Sequence, residues 1–150
     1  MQKVIFRNCD KSSPYWSSLE DLFQRKWSDF KFKDTYKDSV QLPPVIVVLR
    51  DNVVIGGLAY SYFQEPHQVR DVVWINAVFV DPKWRGQGIA SELIKRAVKQ
   101  MPDYYQSQSS KGLTSKLYAY TNITPLYLSL DWSIVDIESD PDHHVVSISY

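Results

Sequence analysis

Apolar and polar positions divide the chain into strand-like and helix-like stretches. Residues 72–80 are a run of Val, Ile, Trp, Ala and Phe broken only by Asn76 and closed by Asp81-Pro82. A short apolar run ending in a turn signal predicts a buried strand. From Ile89 the period changes: Ile89, Ala90, Leu93, Ile94, Ala97 and Val98 fall on one helical stripe, as on a helix lying against a sheet.

Upstream, residues 3–7 predict a short first strand. Residues 15–30 predict a helix from the spacing of Trp16, Leu19, Leu22, Phe23, Trp27 and Phe30. Residues 31–41 are polar, of mixed charge and without period, which suits either a solvated connection or a flexible wall over a substrate site. Pro43-Pro44 favour extended chain. Residues 45–49 and 53–63 then form an antiparallel hairpin turning at Asp51-Asn52, and Gly56-Gly57 predict a bulge or a close backbone approach. Residues 65–71 read as a polar link into the central strand.

Downstream, residues 101–112 read as a connection. Residues 113–121 contain a strand parallel to 72–80, because a helix crosses between them. Thr124 as cap and Pro125 at the first position open a short helix through Leu130. Two last strands, 133–138 and 144–149, are joined by Ser139-Asp140-Pro141-Asp142. The order strand, helix, hairpin, strand, helix, strand, helix, hairpin predicts a single α/β domain spanning residues 1–150, with a mixed, mostly antiparallel sheet flanked by helices.

Composition narrows the partners. The 17 basic and 17 acidic residues cancel, which gives no general attraction to nucleic acid or to an anionic membrane. No apolar run suits a signal peptide or a membrane span, so a cytoplasmic location is expected. Cys9 is the single cysteine, which rules out an intrachain disulfide and suits a small buried residue. Ten tyrosines and five tryptophans supply aromatic surface for a pocket or an interface.

Chemistry concentrates in Arg85-Gly86-Gln87-Gly88-Ile89-Ala90, between the central strand and the long helix. The two glycines carry no side chain to keep a ligand off the backbone, and Ala90 is small. A helix start offers free N–H groups and the positive end of a dipole, so an anion such as a phosphate is expected there. A dinucleotide-binding turn fits poorly, because no third glycine stands in register and the loop follows a hairpin mid-chain. A P-loop lacks its Gly-Lys-Ser/Thr.

With that element order, the loop resembles the GCN5-related N-acetyltransferase (GNAT) superfamily, whose signature is Arg or Gln, two variable positions, Gly, one variable position, then Gly or Ala. Arg85, Gly88 and Ala90 fill it, with Gly86 the commonest companion. A second resembling block is residues 116–132, where Leu126-Tyr127 and Asp131-Trp132 stand at the family's Leu-Tyr and Gly-Phe or Gly-Trp places. Two departures follow: Asp131 replaces the usual glycine, which predicts a different backbone conformation there, and Asn122 stands two residues closer to Tyr127 than is common.

The resemblance implies acetyl-CoA as acyl-donor cosubstrate. Its pyrophosphate would lie on the amides of Arg85, Gly86, Gln87, Gly88, Ile89 and Ala90. Its pantetheine arm would lie along Ala77, Val78, Phe79 and Val80, with Asn122 nearby and the 72–80 and 116–121 strands diverging to admit it. Lys83 and Arg85 are candidates for the phosphates, Arg85 through paired N–H groups. The expected reaction is direct transfer of acetyl to a primary amine of a small molecule or a peptide.

Tyr127 is the expected proton donor to the leaving thiolate, since a phenol keeps its proton at neutral pH. A main-chain N–H near Ala77 or Val78 would support the carbonyl oxygen. Positions 74–79 carry no Glu, which leaves Glu65, His67, Asp71 or water as base. His67 is the choice by chemistry, because imidazole titrates near neutral pH. Asp34, Asp38, Glu65 and Asp71 are candidates to attract a cationic acceptor. His143-His144 with Asp140 and Asp142 resemble metal ligands, but adjacent strand residues point to opposite faces, and no metal is expected. Members of the family often dimerise, and the aromatic surface permits a homodimer. Two other functions fit the same fold: a non-catalytic acyl-CoA sensor, and an interaction domain without cofactor.

Overall fold

A computed structural model describes residues 3–38, 41–107, 115–137 and 142–150. Strand β2 (Val45–Arg50) turns at Asp51-Asn52 into β3 (Val53–Gln64). Both turn residues have positive φ, 52° and 65°, the backbone of a two-residue hairpin turn that Asp and Asn tolerate better than other side chains. Strand β1 (Ile5–Cys9) pairs outside β2, and β4 (Asp71–Val80) pairs antiparallel with β3. After β5 (Lys116–Thr121) come β6 (Ser133–Ile137) and β7 (His144–Ser149), completing a seven-stranded sheet in the order β1-β2-β3-β4-β5-β7-β6. Among the described strands, only β4 and β5 pair in parallel.

Helix α1 (Trp16–Gln24) covers one face of the sheet and α2 (Ile89–Ser107) the other, joined there by α3 (Thr124–Ser129). Alternation along β2 shows why its sequence is apolar throughout. Val45, Val47 and Leu49 pack with Leu19, Leu22 and Phe23 of α1, while Ile46 and Val48 pack with Leu93 and Ile94 of α2. Each fully buried side chain of this size contributes about 1.5–3 kcal/mol. No helix among the described residues is long and apolar enough to cross a membrane.

The glycine pair meets both expectations. Val48 pairs with Gly56 and Leu49 with Val54, so β3 carries an extra residue at that bulge. At Gly57 a Cβ would lie 2.3 Å from Leu19 Cδ1 and 2.9 Å from the Ile46 carbonyl oxygen, so α1 docks where a side chain is missing.

Four local expectations are corrected. The first strand begins two residues later than read, at Ile5. Helix α1 stops at Gln24: Trp27 and Phe30 keep helical spacing but reach the core through turns, Phe30 meeting Phe23 at 4.9 Å between ring centres. Helix α2 runs through Pro102, because Met101 is buried beneath it and the Tyr104 hydroxyl bonds that of Tyr62 at 2.6 Å. Thr124 is not the cap of α3; Ile123 is, and the Thr121 hydroxyl accepts the Ile123 N–H at 2.9 Å. Residues 108–114 and 138–141, with Asp140, lie outside the described residues.

Candidate functional site

The site grows from the end of β4. Ala59 pairs with Ala77 and Tyr60 with Ile75, which leaves Asn76 as an extra residue in β4. This bulge turns Asn76 out of the sheet, exposed between two buried neighbours. On the other edge, β4 pairs with β5 only at Trp74–Tyr118 and Ile75–Ala119. Beyond those two pairs the strands part, leaving β4 backbone from Asn76 onward without a β5 partner.

A cavity of about 920 Å³ opens beside this parting. Ser61 to His67, Trp74 to Val78, Tyr120 to Ile123 and Tyr127 all contribute to its wall, as do Lys26, Trp27, Thr35 and His143. Ala77, Val78, Asn122, Tyr127 and His67 from the sequence reading are thus brought together. Phe79 and Val80 continue β4 away from the cavity toward the glycine loop and are buried.

Tyr127 is buried within α3, its ring edge-on to Trp132 at 5.0 Å. Its hydroxyl has no hydrogen-bond partner among the described residues. Burial raises the phenol above the ordinary tyrosine range, so it holds its proton through neutral pH. Asp131, after α3, has φ of 73°, a left-handed conformation that glycine adopts more readily than aspartate.

The loop is held from below. Asp81 accepts the Lys83 N–H at 2.9 Å and pairs with Arg25 at 2.9 Å, and these contacts keep its carboxylate below the usual range. The Arg85 Nε donates to the Val80 carbonyl at 2.9 Å, and its guanidinium lies 5.2 Å from the centre of the Phe79 ring. Arg85 therefore ties the loop to the end of β4, and only its terminal nitrogens remain to face an anion. Trp84 packs under Arg50 at 5.8 Å. Gly86 and Gly88 have φ of 79° and 78°, and a Cβ on either would meet nothing within 4 Å. The first helical bond runs from Glu92 N–H to Gly88 C=O, so Ile89, Ala90 and Ser91 N–H groups have no helical acceptor. Open space before free amides, at the positive end of a 19-residue helix, fits a pyrophosphate.

Among the candidate bases, Glu65 and His67 line the cavity and Asp71 does not. Glu65 stands in what the sequence reads as a polar link, yet it is 5% exposed. Its Oε2 accepts the Tyr118 hydroxyl at 2.6 Å and its Oε1 the Arg70 Nε at 2.7 Å. Burial pushes its carboxyl up, but the Tyr118 and Arg70 hydrogen bonds, with the charges of Arg70 and Lys116, outweigh that and hold it below the usual glutamate range. Burial, together with the same contact, pushes the Tyr118 phenol up. His67 sits exposed on the turn after Glu65, with φ of 64°. Asp34, Asp38 and Asp71 do not line the cavity, and Asp38 pairs with Lys11 at 2.9 Å.

His143 stacks on Tyr120 at 4.9 Å, whereas His144 Nδ1 meets the Thr124 hydroxyl at 2.7 Å. The two imidazoles thus serve different neighbours. The family model for the acetyltransferase (GNAT) family matches residues 12–121, well over half of the chain. The chain belongs to the GNAT family.

The wider comparisons agree on fold and diverge on acceptor. The NatC complex bound to Gag peptide and CoA matches with a TM-score of 0.73 at 14% identity, covering 99% of each chain. Aminoglycoside 6'-acetyltransferase type Ii matches with a TM-score of 0.72 at 13% identity, over 97% of this chain and 96% of that one. An IAA acetyltransferase from Bacillus cereus matches with a TM-score of 0.66 at 16% identity, over 99% of this GNAT chain and 100% of the other. No curated protein sequence matches significantly.

Proposed function

We propose that this GNAT protein transfers an acetyl group from acetyl-CoA directly to the primary amine of an acceptor held in the 920 Å³ cavity. The observation that carries the reading is the parting of β4 and β5 beside the unpartnered Tyr127 hydroxyl, at the end of the sheet that also holds the open-faced glycine loop. Acetyl-CoA supplies an activated acyl carbon and a thiolate leaving group. The protein does the rest. Amides from Gly86 to Ala90 hold the pyrophosphate, while unpaired β4 backbone from Ala77 to Val80 holds the pantetheine arm, with Asn122 across the gap. A β4 N–H at Ala77 or Val78 supports charge on the carbonyl oxygen.

As the amine nitrogen bonds to the acyl carbon, the carbon–sulfur bond breaks and Tyr127 gives its proton to the sulfur. The amine's own proton leaves toward His67 through water at the cavity mouth. Glu65 suits that task less, since Tyr118 and Arg70 keep it a settled carboxylate.

Tyr127→Phe tests the assignment. Turnover should fall about 100-fold or more, the range of a lost general acid. Acetyl-CoA affinity, read by calorimetry, should stay within about twofold, because the interaction is made during reaction and not on binding. Unchanged turnover removes Tyr127 from the chemistry. For His67→Ala, the acid limb of the pH–rate profile should disappear; a profile superimposing on the parent's excludes the imidazole as base.

A further inference from the structure

Three apolar side chains that face water also line the cavity: Phe63 is 65% exposed, Tyr120 51% and Ile123 46%. They come from β3, from β5 and from the segment after β5, so the sequence scatters them and the fold brings them to one cavity. Tyr120 is held flat by its stack on His143, with ring planes 13° apart. Apolar groups kept in water around a concave site mark a surface awaiting an apolar occupant.

Charge points the same way. Among the described residues, Lys26 and Glu65 are the fully charged side chains in the lining. Both Glu65 oxygens already accept hydrogen bonds, from Arg70 and from Tyr118. Lys26 lies 5.0 Å over the Trp27 ring and places a positive charge in the wall. A polycation needs several uncommitted carboxylates, and this lining offers it one engaged carboxylate and a lysine.

From these observations, which rest on the acetyl-transfer reading above, we infer that the acceptor is a monoamine. Its primary amino group sits on an apolar, aromatic-bearing body with no second positive charge. The body lies on Phe63, Tyr120 and Ile123, and the amine reaches down to the parting of β4 and β5. A free arylalkylamine and a peptide amino terminus on an aromatic residue share this chemistry.

The test uses the whole protein with acetyl-CoA. Thiol release is followed with phenethylamine, phenylalanyl-alanine amide, spermidine and kanamycin. Acceptor binding is followed separately by tryptophan fluorescence, since Trp27 and Trp74 line the cavity. One of the two aromatic monoamines should be used at least about tenfold more efficiently than spermidine or kanamycin, and which one identifies the source. Phe63→Ala and Tyr120→Ala should each raise its KM about tenfold while leaving acetyl-CoA affinity unchanged. Lys26→Glu should narrow the preference over spermidine.

Equal or better use of spermidine or kanamycin overturns the inference while leaving acetyl transfer standing. So does acetyl-CoA binding without any quench or turnover by either aromatic amine. Failure to bind acetyl-CoA removes the acetyl-transfer reading and this inference with it.

Discussion

Gly88→Ala separates a glycine kept for its turn from a glycine kept for a ligand. Gly88 has φ of 78°, where a residue with a Cβ is strained by about 1–2 kcal/mol. No further steric cost arises in the free protein, because the added methyl meets nothing within 4 Å. The predicted loss of stability is therefore that strain alone, which for a domain of this length lowers the melting temperature by about 2–8 °C. The effect on acetyl-CoA is a different quantity. The methyl adds bulk at an open position directly preceding the Ile89, Ala90 and Ser91 amides, on which the pyrophosphate would lie. Affinity should fall about tenfold or more as those hydrogen bonds lengthen. Calorimetric titration at low and high salt, alongside a thermal melt, reads both numbers on one preparation. A lowered melting temperature with unchanged affinity would refute the phosphate assignment, since the glycine would then serve only the turn.

Other expectations concern stability. Glu65→Gln should cost about 1 kcal/mol near neutral pH, the modest size reflecting the half-exposed Arg70 partner. Because the folded state holds the Glu65 carboxyl below its unfolded value, its contribution is present above the usual glutamate range and is lost as pH falls through the folded value. The gap between parent and variant should thus close on acidification; a gap constant from pH 7 to pH 3 in denaturant titrations would contradict the pairing. Asp131→Gly should stabilise by up to about 1 kcal/mol, by relieving a left-handed aspartate at φ of 73°. A lower denaturation midpoint would show that the Asp131 side chain contributes more than its backbone costs.

The sequence carried the strands and the loop more clearly than the cavity, for reasons visible residue by residue. Doubly buried β2 and β4 must be apolar on both faces, so their runs stand out. Two glycines with positive φ at a helix start are equally conspicuous. Helix ends were harder to read. Aromatic spacing continued to Phe30 although the helix stops at Gln24, because turns bring Trp27 and Phe30 to the same core. Pro102 suggested an end to α2, but packing of Met101 and Tyr104 outweighs the lost backbone bond. The Asn76 bulge uses no glycine and left no local signal. Glu65 looked like surface in a polar link, since its burial depends on Tyr118, 53 positions away. The exposed apolar lining was invisible for the same reason: Phe63, Tyr120 and Ile123 come to one cavity only in three dimensions.

The two-pair contact between β4 and β5 also has a bearing on how the molecule holds together. A sheet is normally strongest across its centre, where hydrogen-exchange protection is greatest, but here the ladder thins at the middle and divides the sheet into two blocks at a seam. One block is the β1–β4 meander with α1; the other is β5, β7 and β6 with α3, and α2 spans them. A ligand arm laid into the seam would act as a missing strand, fastening block to block through backbone hydrogen bonds. Part of its binding free energy would then appear as folding free energy, coupling the firmness of the whole sheet to the supply of cosubstrate.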